Sequence, residues 1–112
     1  MTQRDYVLRI VERLGRFLAR LAGLRQQGEL DRALREVDDA VAQLLGIDLG
    51  LLESVDAPTA ARLLGSKERV EVLARILAEK VELLNAAHRR GDAEKLRHRI
   101  SALQLAAEAR DG

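Results

Sequence analysis

The stretch 21-LAGLRQQGELDRALREVDDAVAQLLG-46 decides the fold. From Leu30 onward it sets Leu30, Ala33, Leu34, Val37, Ala40, Val41, Leu44 and Leu45 at three- and four-residue steps, the spacing of one face of an α-helix. Its first residues close a similar run, in which Val7, Ile10, Val11, Leu14, Phe17, Leu18, Leu21 and Leu24 recur at the same steps. Between the runs stands Gln26-Gln27-Gly28, and glycine just past a helix accepts the left-handed conformation without a Cβ clash. So short a break folds the two helices, about 4–26 and 29–45, back on each other as an antiparallel hairpin.

Outward from this hairpin the pattern continues. Gly46 and Gly50 bracket a break, and Leu49 to Ser54 reads as a single helical turn. Asp56-Ala57-Pro58 is a helix start, an acceptor side chain followed by proline in the first turn. It opens a short helix over 57–64 that ends at Gly65. Ser66 caps a long helix over 67–89, with Glu68 near its positive end and Val70, Leu73, Ile76, Leu77, Val81, Leu84 and Ala87 or His88 as its stripe. Gly91-Asp92 reads as a second turn. A last helix over 93–109 carries the narrow seam Ala93, Leu96, Ile100, Leu103 and Ala107. The expected fold is all-α: four long helices plus one short one, in a single domain 1–112 made of a hairpin 4–45, a connector 46–66 and a hairpin 67–109.

Composition narrows the function. The 112 residues hold no Cys, which excludes disulfides and thiolate chemistry. Tyr6 and Phe17 are the only aromatics, leaving little to stack on bases. A net charge of +1 argues against nucleic acid as the main partner. No apolar stretch follows a basic start, and none reaches the length of a membrane span, so the expected location is the cytoplasm.

No constellation of catalytic or metal-ligating residues stands out, and neither enzyme activity nor a cofactor is expected. His88 and His98 have arginine neighbours and too few co-ligands for zinc. Asp38 and Asp39 are adjacent, so they point about 100° apart on a helix. Ser54, Ser66 and Ser101 lack a nucleophile-elbow context, and Gly46 and Gly50 lack the Lys-Ser/Thr of a phosphate loop. The most distinctive polar feature is Arg9, Arg13, Arg16 and Arg20, one stripe of the first helix. Asp5–Arg9 and Glu12–Arg16 are spaced to pair within it, and Asp31–Arg35 and Arg32–Glu36 within the second helix.

The first hairpin resembles a tetratricopeptide repeat. That motif sets a glycine at the turn, a small residue five positions on, a bulky one four later and a small one three after that; Gly28, Ala33, Val37 and Ala40 occupy these places, with Leu24 where the motif carries an aromatic. Aligned on Gly91, at an offset of 63, the second hairpin puts Leu96, Ile100 and Leu103 at the others. Asp5-Tyr6-Val7-Leu8-Arg9 resembles the opening of a group of short bacterial domains with no assigned activity. The resemblance implies a tetratricopeptide-like array. In the Gly91 register Asn85 falls where some such domains hold a peptide's terminal carboxylate, but the lysine expected four residues earlier is Val81, so that clamp is absent.

These features point to a non-catalytic protein-interaction or structural module. Eight apolar positions on the first helix exceed what one neighbour covers, so self-association as a homodimer through that helix is expected, with Ile10, Phe17, the four arginines and Asn85 as interaction candidates. The alternative is a helix-turn-helix DNA-binding regulator, read from Thr59 to Ser66 and the following helix. Against it, that helix opens Lys67-Glu68-Arg69-Val70-Glu71, with acids where phosphate contacts belong.

Overall fold

A computed structural model describes residues 3–111, with the side chains of 4–109. It is all-helical: α1 (Gln3–Gln26), α2 (Leu30–Leu45), α3 (Leu49–Glu53), α4 (Ala57–Leu64), α5 (Lys67–Ala86) and α6 (Arg90–Asp111). The expected single turn after Gly46 is a short helix of its own, α3. The caps follow the expected chemistry. Asp56 accepts from the Thr59 N–H at 2.7 Å, and Ser66 accepts from the Arg69 N–H at 3.2 Å. Gly46 and Gly65 end α2 and α4 in the left-handed region, with φ 68° and 92°.

α5 is the central helix. It packs against α1, α2, α4 and α6. The expected stripe of α5 omits Val72, Ala74 and Leu83, which are buried with Val70, Leu73, Ile76, Leu77, Val81 and Leu84. Burial therefore reaches most of the way round α5, as an interior helix requires. One contiguous apolar cluster draws residues from all six helices, among them Leu14, Val37, Leu52, Leu64, Ile76 and Leu103. No polar or charged residue is buried among the described residues. The Cα radius of gyration is 13.8 Å, near the roughly 13 Å of a compact chain this long.

The two long hairpins turn alike. After α1, Gly28 sits at φ 76°, its N–H bonds to the Arg25 carbonyl, and Glu29 N–H reaches back to Leu24. After α5 the same place is taken by His88, at φ 60°; its N–H bonds to Asn85, and Arg89 N–H reaches back to Leu84. The second turn thus falls at His88 and not at Gly91, which lies in the first turn of α6. Positions 28 and 88 correspond, sixty apart rather than 63. In this register Ala33 aligns with Ala93, and both are buried.

Candidate functional site

The apolar residues of α1 divide between core and solvent. Ile10, Leu14, Leu21 and Leu24 are buried, covered by α2 and α5. Val7, Phe17 and Leu18 are half-buried. Val11 is 47% exposed, and Leu8, absent from the expected stripe, is 51% exposed. At about 100° per residue, Leu8, Val11, Gly15 and Ala19 share the side of α1 turned away from Ile10 and Leu21. Gly15 is open there, with no atom within 4 Å of an added Cβ. Ile10 is therefore a core residue, and the outward apolar positions are Leu8 and Val11.

The arginine row lies on the flank of α1 nearer α2. Arg13, Arg16 and Arg20 line a cleft of about 280 Å³ with Phe17 and Gln43. Arg20 is bound to α2: its Nε donates to both carboxylate oxygens of Glu36 at 2.9 and 2.8 Å, and Nη2 donates at 2.6 Å. This hydrogen bonding holds the Glu36 carboxyl below its usual range and raises the Arg20 guanidinium. The expected Glu12–Arg16 and Arg32–Glu36 pairs do not form; Arg32 meets Glu29 at 3.4 Å instead. Arg13 and Arg16 hold no ion pair among the described residues. Spacing along one helix allows a pair, but a carboxylate on the neighbouring helix offers Arg20 both oxygens at once.

Two arginines that spacing gave no reason to single out tie the connector down. Arg69, in the first turn of α5, donates to the Leu64 carbonyl at 2.7 Å, to Tyr6 Oη at 2.8 Å and to the Leu45 carbonyl. It caps the C-terminal ends of α2 and α4 together, where a cation also suits the helix dipoles. Arg99 of α6 donates to the carbonyls of Leu52 and Val55 around the end of α3. A carbonyl partner has no residue-type signature, so neither contact is visible in sequence.

A groove of about 550 Å³ opens between α2 and α6, over α5. Leu34, Leu84 and Leu96 line it; Leu84 belongs with Val81 and Ala93 to a small apolar cluster against which the half-buried Leu34 and Leu96 pack. Its rim is charged. Lys80 meets Glu53 at 3.7 Å, and Arg89 meets Asp92 at 2.9 Å. Arg35 and Lys95 also line the groove, exposed and without an ion pair or hydrogen bond among the described residues. The expected Asp31–Arg35 pair is not formed.

The remaining sequence candidates lie elsewhere. Asn85 is half-buried beside the α5–α6 turn, and its carbonyl accepts the His88 N–H. With the turn at His88, Asn85 leaves the register in which it matched a clamp position. His98 is exposed and 3.5 Å from Glu94. No group of three metal-ligating side chains occurs among the described residues. The helix that would read DNA is α5, the interior helix; its exposed charged residues are Lys67, Glu68, Glu71, Arg75 and Glu82, three acids to two bases. No described helix is long and apolar enough to cross a membrane. Comparison with protein-family models, with curated proteins and with solved structures gives no significant match.

Proposed function

We propose that this protein is a non-catalytic interaction module, a tetratricopeptide-like pair of helical hairpins that self-associates through the outward face of α1. The observation that carries the reading is the pair Leu8 and Val11, large apolar side chains about half exposed on one side of α1. Gly15 and Ala19 continue that side with small residues, which let a second helix approach closely. A second copy laid on this side would remove both side chains from water. The repeat-like part of the reading is supported by the matched turns at Gly28 and His88, by the buried Ala33 and Ala93, and by α5 packing on both helices of the first hairpin.

Light scattering at micromolar concentration tests the proposal, with Leu8→Glu as the variant that places a charge on the open face. Ile10→Glu does not serve, because it would place a carboxylate in the core. The expected result is a dimer mass for the native chain and a monomer mass for Leu8→Glu, with unchanged helical circular dichroism. A native monomer across the accessible range refutes self-association.

A further inference from the structure

We infer that the groove between α2 and α6 is a second docking site, one that takes a short peptide segment in which leucine-sized side chains are flanked by carboxylates. Three observations carry this. First, the groove has an apolar floor without a cover. Of its three apolar lining residues Leu84 is buried, but Leu34 and Leu96 beside it are only half-buried, which leaves apolar surface for an occupant to bury. Second, its volume of about 550 Å³ lies within the usual size of a binding cleft.

Third, its cations are unequally engaged. Lys80 and Arg89 are neutralised by Glu53 and Asp92, and Arg99 is committed to the Leu52 and Val55 carbonyls. Arg35 on α2 and Lys95 on α6 stand on facing helices with no partner among the described residues, and Asp38 is the only other charge in the lining. An occupant bearing separate carboxylates complements that pattern, one acid to each free cation, with its apolar side chain on the leucines between. A phosphate backbone does not, since its continuous negative charge would lie against Asp38, Glu53 and Asp92 as well.

The probe is a fluorescein-labelled peptide of two Glu-Leu-Leu-Glu units, titrated with the full chain and followed by anisotropy. Its control replaces every Glu by Lys. The expected result is saturable binding of the acidic peptide, weakened by salt, and little binding of the lysine peptide. Arg35→Glu combined with Lys95→Glu should weaken the acidic peptide by about tenfold and admit the lysine peptide, because each substitution turns an attraction into a repulsion. Both side chains are exposed and unpaired, so the double variant should keep its helical spectrum. Leu8→Glu, on the other face, should leave binding unchanged. Equal binding of both peptides, indifference to the double reversal, loss of binding in Leu8→Glu, or no binding at millimolar protein would each overturn the inference.

Discussion

His88→Gly should stabilise the protein, and Gly91→Ala should stabilise it again. His88 carries a Cβ at φ 60°, the only described residue other than glycine with positive φ. That conformation costs an L-residue roughly 1–2 kcal/mol, while glycine in its place gives back about 0.5–1 kcal/mol through the wider freedom of the unfolded chain. The net gain for His88→Gly is about 0.5–1 kcal/mol. Gly91 stands in the first turn of α6 without positive φ, and a Cβ there meets no atom within 4 Å. Alanine should therefore add about 0.5–1 kcal/mol by helix propensity. At about 4 °C per kcal/mol for a domain of this size, the double variant should melt roughly 4–8 °C higher, followed by circular dichroism. A turn centred on Gly91 predicts the opposite signs: alanine would then carry the strained φ, and glycine at 88 would sit inside a helix. A lowered midpoint in either single variant refutes the His88 turn and with it the sixty-residue correspondence.

Arg69→Ala should cost about 2–3 kcal/mol in urea denaturation, because it leaves two helix-end carbonyls without their charged donor; Tyr6→Phe, which removes one of the three acceptors, should cost about 0.5–1.5 kcal/mol. Ala33→Leu should cost about 1–3 kcal/mol by overpacking, since Ala33 is fully buried on α2, and an unchanged melting midpoint would show that no helix crosses there. Stability should fall in acid. The hydrogen bonds from Thr59 hold Asp56 below its ordinary range, and the guanidinium of Arg20 does the same for Glu36. Both carboxyls contribute fully above their unfolded values, about 4, and that contribution is lost as pH falls through their lower folded ones. Asp56→Asn combined with Glu36→Gln should flatten the acid limb of a stability–pH curve.

The helices were legible because apolar spacing is dictated by burial, and Gly28, Gly46 and Gly65 were legible because left-handed backbone favours glycine. The second turn misled for the same reason. A glycine stood three residues past a histidine, and the conformation went to the histidine. The eight-residue stripe of α1 hid a division, since helical period alone says which residues share a side and not how much of it a neighbour covers; Val11 fell outside that cover and Ile10 within it. The surface chemistry was least legible. Arg20 found Glu36 across helices, Arg69 and Arg99 found carbonyls, and Arg35 and Lys95 face a common groove only because α5 holds α2 and α6 apart. Each depends on tertiary placement, which intrahelical spacing does not encode.

The central place of α5 makes the two hairpins inseparable in composition but separable in covalent chain. A cut in the connector, between Gly46 and Ile47 and so ahead of α3, would leave one half with Ile10, Leu14 and Val37 uncovered, and the other with the flank of α5 that α1 and α2 had shielded. Neither half closes a core alone, and each exposes the surface the other was shaped to cover. Expressed as two polypeptides, they should reassemble on mixing, and proteins fused to the cut ends would be brought together by the closing of a single apolar core.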